Sequence, residues 1–308
     1  MVPIQSILVP LDGSAFAEQA LALAESIGRA AKARLRLALV HKSPSVPRTR
    51  EETRLFTRIE VATRRAERDY LARLVVGLKE RGSANVTRVV LTGEPAQALV
   101  EHAAEWGASL VVMSTHGRGP LARAWLGSVA DHFIRNVTVP VLLVRPRDDK
   151  PSAGAVRLEG QYLVPLDGSA LAEEALEPAA ELARLFGAEL TLLTVLVPFA
   201  SAAAGPLAFP DQYDGRIADL GRIEAEAYLD RQVKRLGLEG VRASGSVLTS
   251  ESVAGPIIDR AGAEQIRLVG LATHGRGGLR RFTLGSVTDK VVRGVDRPVL
   301  VCPGKKRR

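Results

Sequence analysis

The chain has a single cysteine, Cys302, which excludes a disulfide framework and a cysteine-based metal site and fits a reducing compartment. Aromatic residues make up only 4% of the chain, too few for the stacking platforms on which proteins hold nucleic-acid bases. No apolar run reaches the roughly 18 residues that a membrane-spanning helix needs. The opening MVPIQSILVPLDGS lacks a basic leader, a long apolar region and a cleavage site, so nothing marks it for export. The expectation is a cytoplasmic protein with neither a membrane nor a nucleic-acid partner.

The formal charge is nevertheless +8. Most of its cations are arginines interleaved with glutamates, as in Arg64–Arg65–Ala66–Glu67–Arg68, the composition of a solvated helix face. The dense cluster Lys305–Arg308 reads first as a solvated tail and only second as a polyanion-binding one.

What the chain does have is a repeat. ILVPLDGS at 7–14 returns as YLVPLDGS at 162–169, THGRG at 115–119 as THGRG at 273–277, and LGSV at 126–129 as LGSV at 284–287. The offset is 155 residues for the first motif and 158 for the other two, so order and spacing both survive. With 308 residues, 46% of them hydrophobic, two domains are expected, each with its own core. Their spans are 1–146 and 159–304, with a linker at 147–158 and a basic tail at 305–308.

Short, nearly continuous apolar runs alternate with helical patterns in each copy. In copy one the strands are expected at 7–11, 35–41, 86–91, 109–114 and 139–145. The helices are expected at 15–33, about 53–81, 94–105 and 121–136. Copy two repeats the strands at 162–166, 190–195, 241–248, 266–271 and 298–302. This order predicts an α/β fold of two doubly wound domains, each a five-stranded parallel sheet with helices on both faces. Such sheets bind ligands beyond the carboxyl ends of strands where the connections reverse direction.

The chemistry-bearing residues fall at those ends. The first strand closes on Pro10, Leu11, Asp12, Gly13 and Ser14, and its twin on Pro165, Leu166, Asp167, Gly168 and Ser169. An acid there can bond ribose hydroxyls or an adenine amino group; the plainer reading is that Asp12 and Ser14 cap the next helix. The second element runs Ser114, Thr115, His116, Gly117, Arg118, Gly119 and, nine residues after Gly117, Gly127, Ser128 and Val129. Its twin runs Ala272, Thr273, His274, Gly275, Arg276, Gly277 and then Gly285, Ser286 and Val287. Glycines at a strand end and a Gly–Ser at a helix start bring several N–H donors together without intruding side chains, as phosphate binding requires. A pair of ordinary turns is the competing reading.

In combination, VPLDGS, the THGRG loop, the nine-residue gap to Gly–Ser–Val and the closing VPVLLV strand resemble the universal stress protein family in its tandem form. The resemblance spans the chain apart from linker and tail. It implies a Rossmann-like, adenine nucleotide hydrolase-like fold binding ATP, with or without Mg2+, in each copy. By the same resemblance Asp12 and Asp167, with the backbones of Val40 and Val195, meet the adenosine end. The glycine-rich residues named above meet the phosphates. ATP-binding members carry G-x2-G-x9-G-[S/T]; here Ser114 and Ala272 stand at the first glycine. Copy one also carries Gly93–Glu94–Pro95–Ala96, where copy two has Ser250–Glu251–Ser252–Val253.

Three function classes remain open. The first is a nucleotide-binding regulatory or sensory module of the stress response. The second is a slow ATP hydrolase, and the third a nucleotide-free dimerisation scaffold. A P-loop NTPase is excluded because no G-x4-G-K-[S/T] occurs, and a phosphorelay receiver because no aspartate ends the third strand. No catalytic residue is assigned; His116 and His274 read as loop hydrogen-bonders. No metal site is expected at His41, His102 or His132, for no cysteine or carboxylate lies near them at ligand spacing. The final apolar strands would be exposed edges, so they are expected to pair with each other within the chain, with a homodimer as a further option.

Overall fold

The computed structural model describes residues 3–42, 49–115, 126–145, 157–198, 211–273 and 284–304. The expected tail at 305–308 and most of the expected linker lie outside them. The chain divides into two compact units, residues 3–156 and the residues from 157 onward.

In the first unit the strands are β1 (Ser6–Leu11), β2 (Arg34–His41), β3 (Val86–Thr92), β4 (Leu110–Ser114) and β5 (Val141–Val144). The helices are α1 (Ala15–Ala31), α2 (Arg50–Glu80), α3 (Pro95–Glu105) and α4 (Ser128–Asn136). The sheet order is β3-β2-β1-β4-β5 and every pairing is parallel. All six residues of β1 are buried, as expected of a central strand covered on both faces. Leu35 of β2 lies under α1: a Cβ on Gly28 would come within 2.2 Å of Leu35 Cδ1, so glycine permits the close approach. α1 stops at Lys32, which takes the left-handed conformation (φ 53°) and returns its N–H to the last turn.

The second unit repeats the plan with β6 (Gln161–Pro165), β7 (Glu189–Leu196), β8 (Ala243–Thr249), β9 (Ile266–Ala272) and β10 (Val299–Cys302). Its helices are α5 (Leu176–Phe186), α6 (Asp211–Leu238), α7 (Ala254–Ala261) and α8 (Ser286–Gly294). Its order is β8-β7-β6-β9-β10, again parallel throughout. Tyr70 on α2 donates to Glu18 on α1 at 3.0 Å, and Tyr228 on α6 donates to Glu173 at 3.0 Å. Buried Leu71 and Leu78 likewise match buried Leu229 and Leu236, which fixes the 158-residue correspondence of the long helices.

Several boundaries differ from the sequence reading for local reasons. The fourth helix begins at Ser128 rather than near 121, because Gly127 holds the extended cap conformation (φ −64°, ψ 147°); residues 121–125 lie outside the described ones. β5 begins at Val141 and β10 at Val299, each one residue after a proline. Pro140 and Pro298 have no N–H to give, yet their carbonyls accept from Val111 and Val269 at 3.0 Å. α2 begins three residues early because Thr49 and Glu52 form a reciprocal capping box. In the second unit the first helix is split into a 3-10 turn at Ala172–Ala175 and α5, with Pro178 in the first turn of α5. Among the described residues no helix is long and apolar enough to cross a membrane.

Candidate functional site at the strand ends

β1 pairs with β2 on one side and β4 on the other, and β6 stands likewise between β7 and β9. The chain leaves β1 toward β2 but leaves β4 toward β5, so the connections diverge between β1 and β4. The second unit diverges in the same way between β6 and β9. Such a divergence opens a crevice at the carboxyl ends of the two strands. Asp12 and Ser114 lie at those ends in the first unit, Asp167 and Ala272 in the second.

The Asp–Gly–Ser turn is built on the same plan in both units. Asp12 Oδ1 accepts from the Ser14 N–H at 2.9 Å and from its hydroxyl at 2.6 Å, while Ser14 Oγ accepts from the Ala17 N–H at 3.1 Å. Asp167 Oδ1 accepts from the Ser169 N–H at 2.9 Å and Ser169 Oγ from the Ala172 N–H at 3.1 Å. Gly13 and Gly168 both stand at φ 79°, a conformation that glycine adopts without strain. The capping reading is met at Ser14, which caps α1, while Ser169 bonds only the opening of the 3-10 turn. It does not compete with a ligand role, because the turn's own hydrogen bond fixes each aspartate at the end of its strand.

The glycine-rich element is pinned at both ends. The Thr115 N–H donates to the Val144 carbonyl at 2.9 Å, and the Gly127 N–H returns to the Thr115 carbonyl at 2.8 Å. In the second unit Thr273 donates to Cys302 at 3.0 Å and Gly285 to Thr273 at 2.7 Å. α4 and α8 then start at Ser128 and Ser286, and among the described residues no side chain caps either. The first-turn N–H groups of a helix have no partner within it, and they concentrate positive potential. Ser128 and Ser286 are exposed, Val129 and Val287 half-buried, in matching order. His116, Gly117, Arg118, Gly119, His274, Gly275, Arg276 and Gly277 lie outside the described residues.

Ser114 and Ala272 end β4 and β9, in register with Val144 and Cys302. Neither has positive φ, so the Cβ that each carries in place of the motif's first glycine brings no backbone strain. Pro10 and Leu11 end β1, while Pro165 ends β6 and Leu166 follows it. Val40 and Val195, both half-buried, lie one residue before the ends of β2 and β7.

The residues after those valines set the units apart. His41 is 1% exposed; its Nδ1 lies 2.9 Å from Glu67 Oε2, and its Nε2 lies 3.9 Å from Glu60 Oε1. The sequence reading found no carboxylate near His41, and the fold corrects it by bringing two from α2. The second unit has Leu196, Ala225 and Ala218 at the three corresponding positions. A polar cluster in one copy is thus wholly apolar in the other. Sequence spacing hides such a cluster, but comparison of the two copies could have found it.

The profile of the Universal stress protein family matches residues 3–145 and 161–303. Universal stress protein Rv2005c of Mycobacterium tuberculosis is 29% identical over 237 residues, covering 75% of this chain and 72% of that protein. Universal stress protein Rv2319c of the same organism is 27% identical over 293 residues, covering 92% and 95%. The crystal structure of a universal stress protein from Archaeoglobus fulgidus superposes with a TM-score of 0.65 at 17% identity, covering 98% of each chain. With the doubly wound sheet present twice and a family match across both copies, the chain belongs to the universal stress protein family.

Proposed function

We propose that each unit binds an adenine nucleotide, ATP with or without Mg2+ on its phosphates, and that the protein is a cytoplasmic regulatory or sensory module of the stress response. One observation supports this most. Both units place a capped aspartate and an uncapped helix start on opposite sides of one strand-end crevice. The helix start suits phosphate, since its N–H groups converge and its dipole favours negative charge. Asp12 and Asp167 suit the adenosine end, because their turns fix the carboxyl group before a ligand arrives.

Denaturing the purified protein and chromatographing what it releases tests this reading. Adenine nucleotide near two per chain is the expected result. No released nucleotide, together with no thermal shift on adding Mg-ATP, would favour the nucleotide-free scaffold instead.

The pairing of the final strands belongs to the same reading. Within its own unit β5 pairs only with β4, and β10 only with β9, so each ends its sheet. An apolar edge of that kind invites a second edge. Pro140 and Pro298 limit the ladder between them, so Val141, Leu143, Val299 and Val301 would supply most of the contact. Residues 1–148 expressed alone are then expected to sediment as a dimer. A strictly monomeric half would refute the pairing.

A further inference from the structure

We infer that Arg34 and Arg36, gathered against Trp106 at the amino end of the first unit's sheet, form a binding site for a phosphate-bearing anion, separate from the strand-end crevice. Residues 34 and 36 alternate onto one face of β2. Their guanidinium carbons stand 5.5 Å and 4.6 Å from the centroid of the Trp106 ring. Trp106 caps the carboxyl end of α3, just ahead of β4, so the cluster sits at the end of the sheet opposite Asp12 and Gly127.

Two guanidiniums on one indole bring like charges together. Arg29, Arg64, Arg81, Arg135, Arg184, Arg222 and Arg293 all meet carboxylates. Among the described residues Arg34 and Arg36 meet none. Burial first, and then the charge of Arg34, push the Arg36 pKa below its ordinary value. The field reaches one helical turn back. Burial first and Arg36 second hold His102 below the usual histidine value, against a smaller opposing pull from Glu105.

The geometry suits phosphate in particular. Arg36 Nε donates to Thr87 Oγ1 at 3.2 Å, which with the indole fixes the guanidinium plane. Planar guanidiniums held in this way bind phosphate oxygens in pairs, and their low hydration suits a half-buried site. The second unit folds without the cluster. It carries Glu189 and Thr191 in place of the arginines, Arg260 for His102 and Glu264 for Trp106. Folding of the sheet therefore does not require the pair.

The test uses the full chain with Trp125→Phe, which leaves Trp106 as the only tryptophan. Inorganic pyrophosphate added at constant ionic strength is expected to change Trp106 emission. It is also expected to raise the His102 pKa, read by NMR, because a bound anion cancels the Arg36 field. Arg34→Glu with Arg36→Thr, the second unit's own residues, should weaken both responses about tenfold or more. Arg34→Gln with Arg36→Gln serves if the first pair disturbs folding. Both responses should survive Gly127→Glu with Gly285→Glu, which separates this site from the crevice, and ATP added to that variant shows whether a nucleotide's phosphates also serve. The inference is overturned if pyrophosphate acts no more strongly than sodium chloride of equal ionic strength, or if the responses persist without the two arginines. Failure of ATP to bind at the crevice would count against the proposed function and leave this site standing.

Discussion

A protein carrying glutamate at both Gly127 and Gly285 is expected to bind ATP about 100-fold more weakly or worse, with its melting temperature nearly unchanged. Both glycines have extended backbones, φ −64° and −55°, so a side chain adds no left-handed strain there. Each is tied to its strand end through the Thr115 or Thr273 carbonyl. The new carboxylate would project from the helix cap, where the dipole and first-turn N–H groups welcome negative charge. It would take up the donors that phosphate needs and repel the phosphate besides. Calorimetric titration of the folded double variant is the check; unchanged affinity would remove the helix starts from the site.

Phe133→Ala is expected to cost the first unit about 3–5 kcal/mol, the usual range for deleting a buried aromatic ring. Phe133 is fully buried, and α4 has only nine residues, of which Ala130, Phe133 and Ile134 are buried. The ring is therefore the largest side chain among the three that this short helix buries. Its loss should also blur the position of the Gly127–Ser128 start, weakening nucleotide binding in the first unit alone. Urea unfolding measures the first effect and site-resolved calorimetry the second. A cost below about 1 kcal/mol would mean that the neighbouring side chains collapse into the gap.

The fold was legible in the sequence because central parallel strands are apolar on both faces, and because the same motifs occur twice. Pro140 and Pro298 already pointed to late strand starts, and Thr49 with Glu52 to an early start for α2. Both signals are local and could have been read. The onset of α4 was harder, since Leu121 and Leu126 continue an apolar pattern that Gly127 interrupts. For the site, the turns of Asp12 and Asp167 and the starts at Ser128 and Ser286 stand where the motifs put them. Spacing alone hid the partner of His41, because Glu67 lies 26 positions along the chain and only the packing of α2 on β2 joins them. Arg34, Arg36 and Trp106 were hidden for the same reason. Arginines one residue apart look like any solvated pair until α3 lays an indole across them.

The difference between His41 with its two glutamates and Leu196 with Ala225 and Ala218 bears on how the two halves of the gene can exchange material. A crossover falling between the second strand and the long helix would join Leu196 to Glu67, leaving a carboxylate only 17% exposed without its imidazole partner. The reverse crossover would leave His41 facing alanines. Either hybrid loses a buried hydrogen bond and strands a polar group, a cost of about 1–3 kcal/mol in a domain whose whole margin is of order 10 kcal/mol. The three residues therefore exchange only as a set: a chimera of the two halves is expected to keep its stability only where His41 travels with both glutamates.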